Sequence, residues 1–355
     1  MVPLPQPDVS VIVPARNEEV SLRRCLESLV SQTGVSFEII VVDDASTDGT
    51  RQIAESFPGV QVIEAGNLRT GWTGKNNAVF TGANLGRGSW LLFTDADTLH
   101  TPGSLARAIA EARTHAASLL SYSPKQEMRS FWEKALMPVV FAELASAFRP
   151  SEVSNPASAA AAANGQYMLI SRNAYDVVGG HAAVAASLLE DVDLARVIKA
   201  SGRKIYFRYA ADAVSARMYR NFSQLREGWT KNLALLFPSR GFLAITRLAE
   251  FGLISGSAVA AVILANRNEL LPASFLALLA VCAYARFLAR VRQAHFSLDA
   301  NLLSILGLPL FSYLLISSRL HHRRNKVNWK GRSYGPHATG AGVGTAEARS
   351  AGVCS

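Results

Sequence analysis

Six carboxylates in this sequence stand where they could hold a ligand or accept a proton. They form three pairs, each at the end of an apolar run or at the start of an amphipathic segment. The pairs are Asp43 and Asp44 in VVDDASTDGT, Asp95 and Asp97 in TDADT, and Glu190 and Asp191 in LLEDVDLARVIKASG.

The first two pairs each admit two interpretations. A carboxylate at a strand end can accept hydrogen bonds from a nucleobase N–H or from ribose hydroxyls, but Asp44 and Asp48 could instead cap the next helix. Asp95 and Asp97 could present their oxygens to one hard cation, Mg²⁺ or Mn²⁺, together with substrate phosphates. The alternative for that second pair is a solvated turn.

The third pair and one lysine complete the candidate reactive groups. Glu190 and Asp191 could be structural, because the helix dipole favours carboxylates at a helix start, or one of them could be a general base facing an active cleft. Lys75 follows a Gly-rich turn in GWTGKNNA and could contact an anion. The spacing of that turn is not that of a phosphate-binding GxxxxGK(S/T) loop.

Alternating strands and helices position these residues. Apolar runs predict buried strands over 9–15, 37–46, 60–66 and 90–98, with helices over 18–31 and 47–57. This alternation indicates a mainly parallel sheet with helices on both faces. Ligands of such sheets bind beyond the carboxyl ends of the strands, where the first two carboxylate pairs lie. The Ala-rich segment 157–163 is expected to be a helical or flexible connector.

The composition changes from about residue 248. Apolar segments at 248–266, 270–289 and 301–318 are near the roughly 17–25 residues that a membrane-spanning helix needs, and buried helices of a soluble domain are the alternative. The segment 220–232, RNFSQLREGWTKN, is basic and aromatic, as in helices at membrane surfaces. The tail over 335–355 is rich in Gly, Ala and Ser and is expected to be disordered.

Charge and composition narrow the function classes. The chain has 355 residues, of which 18% are charged and 49% hydrophobic, which excludes a disordered protein and disfavours a wholly soluble enzyme. Its net charge of +9 fits nucleic acid, a membrane surface or phosphorylated substrates. The basic residues cluster near the apolar block, which favours a membrane and no nucleic acid. Three scattered cysteines predict no disulfide and no thiolate zinc site, and the N-terminus predicts no secretory signal peptide.

The order of these motifs resembles that of the family 2 glycosyltransferases, which have the GT-A fold. VSVIVPARNEE followed by VVDDASTDGT carries the resemblance, which covers about residues 8–235. GWTGKNNA, NGQYMLISRNAYDVVGG, LLEDVDLA and VNWKGRSY are most similar to the branch that glycosylates lipids, such as carotenoid, hopanoid-associated and ceramide glycosyltransferases. The resemblance implies an α/β GT-A domain with a Rossmann-like mixed sheet, followed by transmembrane helices.

The resemblance also implies residue roles. Asp191 would be the catalytic base with Glu190 beside it, and Asp95 and Asp97 would bind Mg²⁺ or Mn²⁺ on the diphosphate. The residues expected to bind the nucleotide sugar are Pro14, Ala15, Asn17, Glu18, Asp43, Asp44, Lys75 and Asp95. Those expected near the acceptor and diphosphate are Gln166, Arg226 and Trp229. The family's QxxRW element is altered here to QLREGW over 224–229, which suits a single transfer better than processive synthesis.

We therefore expect an inverting transfer of one sugar, from a UDP-hexose by analogy, to a polyisoprenoid, carotenoid or sphingolipid-like acceptor. The expected regions are a catalytic domain over 1–238 with interfacial helices at about 220–238, a membrane region over 239–320, and a basic and then disordered tail over 321–355. The catalytic domain should face the cytoplasm, where nucleotide sugars are made.

Three full spans would put the basic stretch 319–332 outside, against the positive-inside rule, so segment 301–318 could be re-entrant or lie flat. The alternatives in function are a polysaccharide or cell-wall glycan synthase of the same family and a non-catalytic membrane scaffold. A Rossmann dehydrogenase is disfavoured, because VPARNEE stands where GxGxxG would be needed.

Overall fold

The computed structural model describes residues 6–324, 327–329 and 331–334, so the predicted disordered tail over 335–355 lies outside the described residues. The strands are β1 (Val9–Ala15), β2 (Phe37–Asp43), β3 (Val60–Glu64), β4 (Trp90–Phe93), β5 (Thr98–His100), β6 (Leu119–Ser123), β7 (Lys125–Gln126), β8 (Met168–Ser171), β9 (Ile205–Tyr209), β10 (Val214–Ala216), β11 (Val327–Trp329) and β12 (Arg332–Tyr334).

The helices are α1 (Leu22–Val30), α2 (Thr50–Glu55), α3 (Gly74–Leu85), α4 (Ser104–Thr114), α5 (Phe131–Ala147), α6 (Pro150–Ser154), α7 (Arg172–Val177), α8 (Glu190–Ala200), α9 (Phe222–Leu236), α10 (Arg240–Asn266), α11 (Leu270–Val291), α12 (Leu298–Leu303) and α13 (Gly307–Arg323). Short 3-10 helices lie at Gly180–Val184, Arg292–Ala294 and Ser304–Leu306.

A seven-stranded mixed sheet in the order β3-β2-β1-β4-β8-β6-β9 confirms the predicted Rossmann-like architecture. Strands β1 to β4 run parallel to one another, whereas β8 is antiparallel to both β4 and β6. The carboxyl ends of β1, β2 and β4 therefore meet at one edge. The loops that follow these three strands carry most of the predicted donor-site residues.

Helices cover both faces of this sheet, which explains why its strands are apolar runs rather than alternating ones. Val11 and Val13 of β1 pack with α1 and α4 on one face, while Ile12 packs with α3 and α8 on the other. Because successive side chains of a strand point to opposite faces, this burial fixes the register of β1 and the position of the loop that follows it.

Two sequence predictions need correction. The predicted strand over 90–98 is two strands, because β4 ends at Phe93 and β5 begins at Thr98 in a separate three-stranded sheet ordered β5-β10-β7. The Ala-rich segment 157–163 is irregular rather than helical, and its residues 161–163 are buried in the second core cluster. Packing of small side chains against the sheet outweighs the helix propensity of alanine there.

Three C-terminal helices are long and apolar enough to cross a membrane by length and composition: Arg240–Asn266, Leu270–Ala294 and Leu298–Arg323. The third differs from the others. Half of its most apolar window is buried within the protein, against 17% for each of the first two. It is also broken by the 3-10 turn at Ser304–Leu306 before α13 begins. A third core cluster joins α5 and α9 to α10, α11 and α13.

Candidate active site

A cavity of about 1090 Å³ lies at the carboxyl ends of β1, β2 and β4. It brings together most of the residues that the sequence singled out, although they come from distant parts of the chain. The predicted residues that line it are Pro14, Ala15, Asn17, Glu18, Asp44, Lys75, Asp95, Asp97, Gln166, Glu190, Asp191 and Trp229. Of the described residues, Asp43 and Arg226 are the two predicted ones that do not line it.

The loops after β1 and β2 are tied to each other. The N–H of Asp44 donates to the carbonyl of Ala15 over 2.8 Å, and Arg16 donates to the carbonyl of Asp44 over 2.5 Å. Asn17 has a left-handed φ of 54° and accepts a hydrogen bond from the N–H of Thr47 over 2.9 Å. These bonds hold the Asp44 carboxylate at the cavity wall.

Two other carboxylates near Asp44 in the sequence, Asp43 and Asp48, accept hydrogen bonds from nearby backbone N–H groups. Asp43 is buried and accepts a hydrogen bond from the N–H of Ser46 over 3.3 Å. Asp48 accepts from the N–H of Thr50 at the start of α2 over 3.0 Å. The helix-capping interpretation therefore applies to Asp48, whereas Asp44 pairs with a cation described below.

Lys75 is the central cation of the site. Its Nζ lies 2.8 Å from Asp95 Oδ1 and 2.8 Å from Glu190 Oε1. Desolvation opposes the charge of Lys75, but Asp95, Glu190 and Asp191 outweigh it and raise the lysine pKa well above its ordinary value. The lysine therefore stays protonated and links the end of β4 to the start of α8.

The start of α3 positions this lysine. Thr73 caps the helix by accepting a hydrogen bond from the N–H of Asn76 over 3.2 Å. The side chain of Asn76 is buried and donates to the carbonyls of Val184, Ala185 and Ser187 over 2.8–3.1 Å. This amide fastens α3, which carries Lys75, to the loop before α8.

Glu190 and Asp191 are adjacent carboxylates with opposite pKa shifts. Burial would raise the pKa of Glu190, but the charges of Lys75 and Lys231 outweigh it and lower that pKa. Burial, and then the negative charge of Glu190, raise the pKa of Asp191 to about 6. Two neighbouring carboxylates whose environments separate their pKa values are typical of acid–base sites.

Asp191 is held by backbone donors. Its Oδ2 accepts from the N–H of Gly165 and its Oδ1 from the N–H of Val192, each over 2.8 Å. A Cβ on Gly165 would lie 3.1 Å from Lys75 Nζ and 3.3 Å from Asp191 Oδ2. Glycine therefore allows the backbone to approach both charged groups closely.

Gln166, next to this glycine, lies in a buried polar network. Its Oε1 accepts from Gln126 Nε2 over 3.0 Å, and its carbonyl accepts from the hydroxyl of Thr94 over 2.8 Å. His100 contacts that same hydroxyl at 3.2 Å, and burial lowers its pKa to about 3. His100 is thus a neutral packing histidine near the site.

Asp95 and Asp97 both line the cavity, as a shared cation would require. Among the described residues there is no group of three or more His, Cys, Asp or Glu side chains that could hold a metal ion. Mg²⁺ typically uses only one or two carboxylates and takes its other ligands from substrate phosphates and water. The two aspartates fit a metal held in that manner.

Sequence reasoning did not single out several cations that line the cavity, among them Arg217, Lys231 and Arg332. Lys231 lies on α9 two residues after the predicted Trp229, so the basic and aromatic segment 220–232 contains both. Arg226, the predicted cation of this motif, is exposed on α9. Arg332 comes from the motif VNWKGRSY, which entered the sequence analysis only through its resemblance to a family.

Trp229 is buried at the cavity wall. Its ring contacts those of Phe141 and Tyr219, with centroids 6.2 Å and 5.9 Å away. Within the part of the chain that the structure describes, its indole Nε1–H has no hydrogen-bond acceptor. A buried donor of this kind is costly to leave unpaired, so it is available to a ligand.

Apolar side chains line the same cavity next to the polar residues. We call them the apolar wall: Phe141, Leu144 and Ala145 of α5, Phe148 directly after it, Phe207 and Tyr209 of β9, and Phe296 after α11. The ring of His295 stacks on Tyr209 at a centroid distance of 4.6 Å. The wall thus includes residues from the connection between the second and third apolar C-terminal helices.

Residues 10–179 match the model of the family described as glycosyl transferase family 2. A 4,4'-diaponeurosporenoate glycosyltransferase of Staphylococcus haemolyticus is 31% identical over 239 residues, which cover 64% of this chain and 61% of that protein. The protein of the same name from Staphylococcus aureus is 26% identical over 340 residues, which cover 92% of this chain and 88% of that one. The first alignment spans less than two thirds of its relative.

Among solved structures, a mannosyltransferase from Pyrobaculum calidifontis in complex with GDP-Man and Mn²⁺ aligns with a TM-score of 0.49 at 20% identity, covering 90% of this chain and 88% of that one. A glucosyl-3-phosphoglycerate synthase from Mycobacterium tuberculosis, in complex with Mn²⁺, UDP and phosphoglyceric acid, aligns with a TM-score of 0.40 at 20% identity, covering 61% of this chain and 71% of that one.

Proposed function

We propose that this chain, a glycosyltransferase whose residues 10–179 form a family 2 domain, transfers one sugar from a nucleotide-diphosphate sugar to a lipid at a membrane surface. One observation carries the proposal. The same cavity is lined by the carboxylates around Lys75 and by the apolar wall next to the C-terminal helices. The relatives named for 4,4'-diaponeurosporenoate, a carotenoid, support an apolar acceptor.

The reaction in this proposal is one direct displacement. The acceptor oxygen attacks the anomeric carbon while the bond from that carbon to the diphosphate oxygen breaks, and the nucleoside diphosphate leaves with the electron pair. Asp191 takes the proton of an acceptor hydroxyl. With a pKa of about 6, its carboxylate is ionised at neutral pH, as a general base must be. Attack from the face opposite the leaving group inverts the anomeric configuration.

Lys75 and Glu190 prepare this base. The ammonium of Lys75 stabilises the negative charge of Glu190 at 2.8 Å, so Glu190 remains ionised. Its charge in turn raises the pKa of Asp191 and makes that carboxylate a stronger base. Glu190 is therefore the tuning partner, and Asp191 is the group that accepts the proton.

The donor is proposed to lie between the loops after β1, β2 and β4. Asp44 would accept hydrogen bonds from the base or ribose, and Asn17 and Glu18 would line the nucleotide pocket. Asp95 and Asp97 would hold Mg²⁺ or Mn²⁺, which supplies positive charge to a departing diphosphate. Lys75, whose ammonium pairs with Asp95, would place a positive charge next to the sugar.

The proposal includes membrane attachment through one helical hairpin, which α10 and α11 form. Ion pairs join Arg247 of α10 to Glu143 of α5, and Arg290 of α11 to Glu250 of α10, over 2.8 Å and 2.7 Å. These charges mark the end of the hairpin next to the catalytic domain. The α10–α11 connection at 267–269 is at the other end, and helices of this length reach about 30–40 Å.

α13 is proposed to stay on the catalytic side. At its start, a Cβ on Gly307 would overlap the carbonyl oxygen of Ala135 in α5, so the two backbones are in close contact. Near its end, His322 Nε2 lies 2.7 Å from the carbonyl of Lys231 in α9. Contacts with the catalytic domain at both ends support a position of α13 on that side of the bilayer.

This topology supports a cytoplasmic catalytic domain. Two crossings return the chain to the side from which it left, so the basic residues after α13 lie on the side of the catalytic domain. The positive-inside rule then favours the cytoplasm for both. With three crossings, the same rule would be violated.

The proposal is tested with membranes that contain the full chain. They are incubated with a panel of labelled nucleotide sugars, and the lipid extract is examined by mass spectrometry. A lipid one sugar heavier supports the proposal, provided that membranes with Asp191→Asn do not form it. A water-soluble polymer or a ladder of chain lengths would favour a glycan synthase, and no transfer with any donor would favour a non-catalytic scaffold.

A further inference from the structure

We propose that the C-terminal hairpin β11–β12 completes the donor pocket, with Arg332 as a positioning residue for the Asp44 carboxylate. The inference rests on the proposed function, because it takes Asp44 as the group that binds the nucleoside of the donor. It adds a residue from the far end of the chain to a site otherwise built by the family 2 domain.

Arg332 forms a two-pronged ion pair with Asp44. Its Nη2 lies 2.9 Å from Asp44 Oδ1, and its Nη1 donates to Asp44 Oδ2. The side chains of Arg332 and Asp44 are 22% and 9% exposed. The residues are 288 positions apart, so the pair reflects tertiary placement of the hairpin and not local chain geometry.

The fold aims this arginine at the pocket. β11 lies against α9, and in the hairpin Trp329 pairs with Arg332 across a tight turn whose Gly331 has a left-handed φ of 76°. On the facing side, Gly74 leaves room for the guanidinium. A Cβ at Gly74 would overlap Arg332 Nη1 and lie 2.7 Å from Asp44 Oδ2.

The chemistry of the pair suits donor binding. A carboxylate offers about four lone-pair positions, and the guanidinium uses two of them. The remaining positions can accept hydrogen bonds from a nucleobase N–H or a ribose hydroxyl. The bidentate contact fixes the plane of the carboxylate, and the positive charge offsets the repulsion between Asp44 and the diphosphate of the donor.

The test uses the full chain in detergent. Binding of UDP and of GDP is measured by calorimetry, and KM and kcat are measured with the active donor. Arg332→Ala should weaken nucleotide binding and raise the donor KM by roughly tenfold, the usual scale for hydrogen bonds to a charged group, with kcat changed much less. Arg332→Lys keeps the positive charge but not the two-pronged guanidinium, and it should recover part of the lost nucleotide affinity. Arg324→Ala, at an exposed arginine after α13, should match the wild type.

Gly74→Ala reaches the same contact from the other side. Its methyl group would displace the guanidinium and also crowd Asp44 Oδ2, so donor binding should weaken at least as much as in Arg332→Ala. Once the methyl group has broken the ion pair, loss of the guanidinium should cost little more, so the double variant should bind about as weakly as Gly74→Ala alone. This second approach does not depend on whether Arg332→Ala alters the folding of the hairpin.

Two results would overturn the inference. If Arg332→Ala binds nucleotide as tightly as the wild type, the arginine has no role at the donor. If it binds more tightly, the hairpin occludes the pocket rather than completing it. A wild-type protein that binds neither nucleotide and transfers no sugar would instead refute the proposed function, and the inference would fall with it.

Discussion

Asp191 accepts a hydrogen bond from the backbone N–H of Gly165 over 2.8 Å, which joins the carboxylate on α8 to the turn before β8. Its other oxygen is held by the N–H of Val192. Backbone donors thus fix the orientation of the proposed base. Burial and the Glu190 charge raise its pKa, while Lys75 and these two backbone donors lower it.

Asp191→Asn should lower kcat by roughly 10²–10⁴-fold, the usual range for loss of a general base, because the amide keeps the size but cannot accept the proton. Donor binding should change little. The measurement is steady-state kinetics together with nucleotide binding. Asp193→Asn is the matched control, since Asp193 is in the same first turn but pairs with Arg196 at 2.8 Å outside the cavity. An Asp191→Asn variant with normal kcat would make Asp191 a structural cap.

The pH dependence of kcat should show an acidic limb near pH 6. Below the pKa of about 6 the Asp191 carboxylate is protonated and inactive as a base, so kcat should fall as the pH drops. At pH 5 about one tenth of the carboxylate would remain ionised, and kcat should fall to about that fraction. The apparent pKa of this limb describes the interacting pair of Asp191 and Glu190 and not Asp191 alone.

Glu190→Gln gives a directional check of that limb. After burial, the Glu190 charge is the largest cause that raises the pKa of Asp191, so its removal should move the limb to lower pH. A limb that stays in place in this variant would show that another group controls the profile.

Removal of divalent metal should abolish transfer reversibly. Asp95 and Asp97 both line the cavity, and a divalent ion held there would stabilise the negative charge of the departing diphosphate. EDTA should stop the reaction, and Mn²⁺ or Mg²⁺ in excess should restore it. Asp97→Ala should be inactive with any metal. Full activity in EDTA would remove the metal from the mechanism.

Much of the sheet could be predicted from sequence, because burial on both faces requires continuous apolar runs in β1 and β2. The carboxylates stand directly after apolar runs, so their positions at strand ends could be predicted as well. The ends of strands were less certain. The apolar side chains of β4 stop at Phe93, and the following Thr94 turns inward to bond the carbonyl of Gln166, which no local pattern encodes.

Other parts of the site depend on contacts between distant segments. Arg332 reaches Asp44 only because α13 runs along the catalytic domain and returns the chain to the donor side. The apolar character of 301–318 is the same whether it faces lipid or packs on α5 and α9. Composition alone therefore could not distinguish a membrane span from a helix that packs on the catalytic domain.

Filling the apolar wall should reduce acceptor use without affecting the donor. Ala145→Trp puts a large ring into the cavity from α5, and kcat/KM for the lipid should fall roughly tenfold or more, as expected when a bulky side chain occupies a binding pocket. The donor KM should stay unchanged. Ala147→Trp is the control, because Ala147 is exposed on the same helix and does not line the cavity. Equal effects of both variants would argue against an acceptor at the wall.

The number of membrane crossings should be two, which can be tested by labelling single cysteines. The native Cys25, Cys282 and Cys354 are first replaced, and activity is checked. Asn268→Cys lies in the connection between α10 and α11, and Arg324→Cys follows α13. In intact cells a membrane-impermeant maleimide should label position 268 and not position 324.

This labelling pattern is expected because the number of membrane crossings must be even. The pair between Arg332 and Asp44 requires the segment after α13 to lie on the same side as the donor pocket, and only an even number of crossings achieves this. In opened cells both positions should react, which shows that position 324 is accessible once the membrane is breached. Labelling of position 324 in intact cells would instead mean that α13 crosses the bilayer. The hairpin could then not reach the donor site of its own chain, and both the two-span topology and the contact with Asp44 would be wrong.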